Sequence, residues 1–235
     1  MTATVVLVHG ANAASSSWDG VITRLAAAGT TSMAWAIPMR SVATDAEYLA
    51  ATVKNIAGDV VLVGHSYGGM AISQAAPMAP NVKGLVFVAG LAPEAGEGAV
   101  PLVGKFPGST LGETIIPFPL GDGQVDLYLD PAKYHAQFVG DATDEVAFLM
   151  AATQRPATEK ALNEPAAGAQ GWQSLPSWFV FGELDKNIPA AVHHFMADRA
   201  KATRTEEVPG APHALGVTHP DIVTEVILDA VKAVG

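Results

Sequence analysis

The chain has 235 residues, 49% of them hydrophobic and 15% charged, with a formal net charge of −10 and no cysteine. That length suits one α/β domain, and so large an apolar share excludes a disordered chain. The acidity argues against nucleic acid and anionic membrane as partners, and the missing thiols exclude disulfides, cysteine nucleophiles and cysteine-ligated metals.

The first residues, Met1-Thr2-Ala3-Thr4, carry neither a basic stretch nor an apolar leader. No run reaches the roughly 18 apolar residues of a membrane span, so a cytoplasmic protein is expected. Val5-Val6-Leu7-Val8 is then a β-branched run ending at His9-Gly10, which predicts a strand buried on both faces. Trp18, Val21, Ile22 and Leu25 follow at helical spacing, with Ser15 to Ser17 available as caps and Gly29 as a stop. A second strand is expected from Met33 to Ile37, ended by Pro38. Thr44 with Glu47 three residues later predicts a capping box opening a helix through Leu49, Val53 and Ile56 to Gly58.

Val60-Val61-Leu62-Val63 is a third strand that runs straight into Gly64-His65-Ser66-Tyr67-Gly68-Gly69 and a helix. Gly84 to Val88 is a fourth and Trp178 to Phe181 a fifth, with a weaker one from Thr203 to Val208. A helix starting near Pro189 separates the last two, and a final helix carries Ile222, Val223, Val226 and Ile227 on one face. Strand alternating with helix predicts a parallel sheet with helices on both faces and right-handed crossovers. The alternation breaks over residues 92–173. That stretch holds prolines, glycines, a hairpin pattern from Thr114 to Leu129 turning at Gly121-Asp122-Gly123, and helical patches after Pro131 and Thr143. Phe106, Phe118, Tyr134, Phe138, Phe148 and Met150 make it too apolar for a linker. It is expected to be a lid inserted into a single domain, 1–235, over the carboxyl edge of the sheet.

Gly64-x-Ser66-x-Gly68 sits between a buried strand and a helix, where a nucleophile elbow belongs. Glycines at both flanks allow a sharp turn that lifts the serine hydroxyl clear of the sheet, at a helix N-terminus whose dipole favours developing negative charge. A serine needs a base. Of seven histidines, His213 follows the last strand directly and is the expected one; His9 and His65 adjoin motif glycines, and His135, His193, His194 and His219 lie on helices or in the insertion. The base needs a carboxylate to fix its tautomer, and Asp185, just past a strand end, is the expected partner, with Glu183 as its rival. The oxyanion donors are expected to be the backbone N–H groups of Tyr67 and Ala11.

On these residues the chain resembles the α/β-hydrolases, most specifically at Val8-His9-Gly10-Ala11, at Gly64 to Gly69, at Asp185 and at His213. Within them it is similar to small bacterial esterases and to the branch of plant methylesterases and hydroxynitrile lyases. The resemblance implies a three-layer fold of about six mostly parallel strands with the lid before the penultimate one. It further implies cleavage of carboxylic esters through an acyl-enzyme, without cofactor or metal. Ser66 departs from the dehalogenases and epoxide hydrolases, which place an aspartate there. Gly10 stands where the plant lyases carry a threonine, and Ala214 where they carry a lysine, so a cyanohydrin lyase lacks its charge partner. Thioester, lactone, amide and perhydrolytic chemistry use the same triad and remain alternatives, as does a ligand-binding or signalling protein on this fold. The expected partner is a small ester, apolar or aromatic given the lid, with a second copy of the chain left open; Arg40, after the second strand, is a candidate for holding a substrate carboxylate.

Overall fold

The computed structural model describes residues 2–121 and 123–235; Asp122, expected in the hairpin turn, and Met1 lie outside the described residues. In chain order, β1 (Thr4–Val8), α1 (Asp19–Ala27), β2 (Ser32–Trp35), α2 (Val42–Val53), β3 (Val60–His65), α3 (Gly68–Ala75) and β4 (Val82–Val88) alternate as the pattern predicts. Residues 92–173 then hold α4 (Ala99–Val103), β5 (Ile115–Pro119), β6 (Val125–Leu129), α5 (Pro131–Phe138), α6 (Asp144–Thr153), β7 (Ala157–Thr158) and α7 (Glu159–Asn163). The alternation resumes with β8 (Ser177–Gly182), α8 (Ala190–Ala200), β9 (Arg204–Val208), α9 (Leu215–Thr218) and α10 (Pro220–Val234).

The main sheet has the order β2-β1-β3-β4-β8-β9, and each neighbouring pair is parallel. Every residue of β3 and β8 is buried, which is why these strands read as unbroken apolar runs rather than alternating ones. The β9 edge strand alternates Arg, Thr, Glu and Glu before Val208, and its weak signal follows from having one solvated face. Right-handed crossovers put α1 and α10 together on one face and α2 and α3 on the other. Phe87 of β4 stacks on Phe179 of β8 at 4.6 Å, and Trp18 and Trp178 are fully buried in the same core. Burying each such ring contributes about 1.5–3 kcal/mol.

The expected capping box at Thr44 is not what starts α2. Ser41 caps instead, its hydroxyl accepting from the Thr44 N–H, and the helix ends at Val53 rather than running to Gly58. The serine lies three residues before Thr44, so the threonine supplies the backbone donor and not the cap.

Strand order reverses between β1 and β3, which opens a crevice at their carboxyl ends. Residues 92–173 lie across that edge. Leu129, Tyr134, Phe138 and Val139 form a second apolar cluster with Ala13, after β1, and Ala214, after β9. Tyr134 donates its hydroxyl to the Asn12 carbonyl at 2.6 Å, and the Ala214 N–H donates to the Phe138 carbonyl at 2.9 Å. The hairpin of β5 and β6 forms as expected; β7 extends it to three strands, unannounced by so short a sequence as Ala157-Thr158. Among the described residues no helix is long and apolar enough to cross a membrane.

Candidate active site

Ser66 has φ of +51°, in the left-handed region that side chains other than glycine seldom occupy. The turn from β3 to α3 holds it there: its carbonyl accepts from the N–H of Gly69 at 2.9 Å and of Leu91 at 3.1 Å. The glycines leave no choice of residue. A Cβ on Gly68 would stand 2.6 Å from the Val8 carbonyl, and one on Gly10 would stand 2.6 Å from the Cβ of Ser66. The end of β1 and the elbow are thus in backbone contact, and Ala11 sits beside Ser66. Both residues, with Tyr67, line one cavity of about 280 Å³. Among the described residues no acceptor meets the backbone N–H of Ala11 or of Tyr67, which leaves both expected oxyanion donors free.

The expected base and its carboxylate meet. His213 Nδ1 donates to Asp185 Oδ2 at 2.7 Å, and both side chains are fully buried. Because a carboxylate only accepts, the pairing fixes the proton on Nδ1 and leaves Nε2 bare. Nε2 is buried and has no hydrogen-bond partner among the described residues, so the Ser66–His213 bond of a complete triad is not made in this structure. The link between the elbow and the His213 loop is His65, the residue before Ser66. Its Nε2 donates to the His213 carbonyl at 3.2 Å, and its ring centroid lies 4.8 Å from that of His213. Phe138 packs edge-on against the His213 ring at 5.1 Å and lies 6.0 Å from the His65 ring, so the three rings form one cluster.

Asp185 Oδ1 accepts the backbone N–H groups of Asn187 at 2.8 Å and Ile188 at 2.9 Å. Burial by itself would raise this carboxyl, but the His213 and His193 imidazoles outweigh it and hold it well below the usual carboxylate range. Burial, with His213 beside it, pushes His65 down to about 3, so that ring is neutral. The rival Glu183 is exposed and its carboxylate accepts the Gly210 N–H at 2.9 Å, bracing the loop that carries His213.

The remaining histidines are engaged elsewhere. His9 Nδ1 donates to the Gly10 carbonyl at 2.9 Å, as expected of a loop-ordering residue, while His194 pairs with Glu207, His219 with Asp141 and His135 with Asp144. Arg40 is not at the cavity: it pairs with Asp126 of β6 and donates to the Pro38 carbonyl at 3.0 Å, so it is not a free cation awaiting a carboxylate. Three features escaped the sequence reading. His193 Nε2 reaches Asp185 Oδ2 at 3.3 Å; the only hint is its place in the first turn after Pro189. Tyr67 donates its hydroxyl to buried Asp45 at 2.7 Å, and burial raises the Asp45 carboxyl despite that bond. Phe138 packs on the base from the inserted segment. Among the described residues no group of three or more His, Asp or Glu side chains is arranged to hold a metal ion.

The sequence profile of the alpha/beta hydrolase family matches residues 5–226. Norfluorocurarine synthase 2 from Strychnos is 23% identical over 191 residues, covering 74% of this chain and 70% of that protein. The crystal structure of polyneuridine aldehyde esterase superposes with a TM-score of 0.83 at 19% identity, covering 97% of this chain and 99% of the other. That of the methylesterase MES16 from Arabidopsis gives 0.78 at 17% identity, covering 98% and 99%.

Proposed function

The chain belongs to the alpha/beta hydrolase family, and from that premise we propose that it is a serine esterase working through Ser66, His213 and Asp185. The carrying observation is the strained serine lining an apolar cavity that is also lined by Ala11 and Tyr67, whose backbone N–H groups are free among the described residues. His213 Nε2 takes the Ser66 proton as Oγ attacks the ester carbonyl, and the two N–H groups hold the oxyanion. The C–O bond then breaks, and His213 returns the proton to the departing alcohol. Water attacks the acyl-Ser66 bond, its proton passing through His213 to Oγ as the acid leaves. Asp185 stays ionised throughout and steadies the imidazolium.

The substrate is neutral and apolar around its carbonyl. Among the described residues no charged side chain lines the cavity, and apart from Ser66 its polar ones are already engaged. Asn12 Nδ2 donates to the Leu127 carbonyl at 3.0 Å, Asn187 Oδ1 accepts from Gln137 at 2.7 Å, and Ser109 donates to the Asn187 carbonyl at 2.8 Å. Residues 92–173 act as its cap, contributing Val100, Val103, Leu111, Ile115, Leu127 and Leu162 to the wall. A volume of about 280 Å³ falls just under the roughly 300–1,000 Å³ of drug-sized ligand pockets, which suits a short-to-medium acyl chain or a single ring.

Turnover of p-nitrophenyl esters of increasing chain length tests the reading. Activity is expected to peak at short or medium chains and to fall sharply for an acyl group bearing a carboxylate. Ser66→Ala is expected to lose on the order of 10⁴-fold or more in kcat and to escape labelling by a fluorophosphonate that modifies the unaltered chain. Full turnover by Ser66→Ala overturns the assignment.

A further inference from the structure

Asp185 serves two buried histidines, and only one of them is needed as a base. His213 Nδ1 and His193 Nε2 converge on the same oxygen, Oδ2, at 2.7 and 3.3 Å. The His193 side chain is 1% exposed, its ring stacks on Phe181 at 4.7 Å with an interplanar angle of 17°, and its Nδ1 has no partner among the described residues. Filling this space alone does not need a histidine. Leaving a buried ring nitrogen without a protein partner costs about 1–3 kcal/mol, a cost that a phenylalanine or methionine here would avoid. Resting on the triad reading above, we infer that His193 is a positioning residue which, by occupying the Asp185 oxygen that receives His213, weakens that carboxylate's hold on a protonated base and so keeps His213 available to take the Ser66 proton.

The direction follows from counting donors. Asp185 accepts four hydrogen bonds, two from the backbone of residues 187 and 188 and two from imidazoles. Four donors saturate its lone pairs, and each one draws off charge that would otherwise stabilise the His213 imidazolium. Besides Asp185, the titratable groups facing the pair are His65 from the end of β3, neutral by burial, and His194 on the same helix as His193, which turns outward to Glu207. Lys186, next to Asp185, reaches away to the Ala136 carbonyl. Asp185 is therefore the charge through which His193 acts. Burial also lowers His193 from its ordinary value, which favours the neutral ring that donates its Nε2 proton to Asp185.

The test is the acid limb of kcat/KM in His193→Phe, which keeps the stacking and removes the donor, and His193→Gln, which keeps a donor. In His193→Phe the limb is expected to move to higher pH, so that kcat/KM at pH 6 relative to pH 8 falls about two- to threefold below the unaltered enzyme's ratio. His193→Gln is expected to keep the original limb. The downfield proton of the His213–Asp185 bond should shift in the first variant and stay in the second. If His193→Phe does not fold, His193→Met replaces it, since methionine fills irregular space without donating. An unmoved limb, a limb displaced equally in His193→Gln, or failure of both non-donors to fold overturns the proposal and leaves His193 a packing residue. Such a result with Ser66→Ala inactive overturns this inference alone, whereas activity in Ser66→Ala overturns the reading beneath it.

Discussion

An aspartate with every lone pair occupied tolerates little change, and Asp185 is in that position. Asp185→Asn would keep the side chain's shape and one carbonyl oxygen for the backbone donors. Its amide would then face the two imidazoles, and His213 would have to turn its Nδ1 into an acceptor. The proton would move to Nε2, where it cannot take another from Ser66. We expect kcat to fall by a factor on the order of 10³–10⁴ with KM little changed, measured on the best p-nitrophenyl ester. The Asp45–Tyr67 bond sets a different kind of test. Asp45→Ala would strand a buried phenol hydroxyl, at about 1–3 kcal/mol in urea unfolding. Asp45→Asn would keep an acceptor and remove a carboxylate whose value is raised on folding. A raised carboxyl opposes folding increasingly as pH climbs from its ordinary value to its folded one and fully above that, so at pH 8 the asparagine variant should be at least as stable as the original chain. A larger loss for Asn than for Ala would contradict the assignment.

At the level of elements, the junction of β3 and α3 with the end of β1 is where packing leaves least room. Gly68→Ala would drive a methyl group to 2.6 Å from the Val8 carbonyl and 2.9 Å from that of His9. Backbone cannot yield as a side chain tip does, so the cost should exceed about 2 kcal/mol, and displacement of His9-Gly10-Ala11 should lower kcat further. Gly121→Ala, whose methyl group would meet nothing within 4 Å, is the matched control and should change stability by under about 0.5 kcal/mol. The same junction explains what the sequence could disclose. Strands buried on both faces, such as Val60–Val63 and Trp178–Phe181, announce themselves because no polar residue interrupts them. The elbow is legible because its steric demand is met by glycines a few positions apart. His213 and Asp185 are legible because reactive loops gather at strand ends. His193 and Phe138 are not: each acquires its place only when a helix packs against a loop distant in sequence. β7 is silent for the same reason, its two residues becoming a strand through pairing with Asp126 and Leu127.

For the molecule as a whole, the reactive crevice is surrounded by neutral imidazoles, and this makes the fold sensitive to acid. His9, His65 and His193 are all lowered from an ordinary value of 6.5, burial being the largest cause in each. The unfolded chain therefore binds protons that the folded one refuses. Their stabilisation is complete above about pH 6.5 and is lost as pH falls towards the folded values, which in the case of His65 means about 3. Within its window His65 removes about 1.4 kcal/mol per pH unit, and His9 and His193 act in the same direction, against the 5–15 kcal/mol typical of a domain. Asp185 works later: depressed in the folded state, it keeps its contribution until pH drops below the ordinary carboxylate range. Urea midpoints at pH 7.5, 6.5, 5.5 and 4.5 should therefore decline from the first step below 6.5, before carboxylates begin to titrate. A midpoint constant down to pH 5 would mean that these imidazoles accept protons in place. His65→Gln, which keeps a donor for the His213 carbonyl and removes one titrating ring, should flatten the decline.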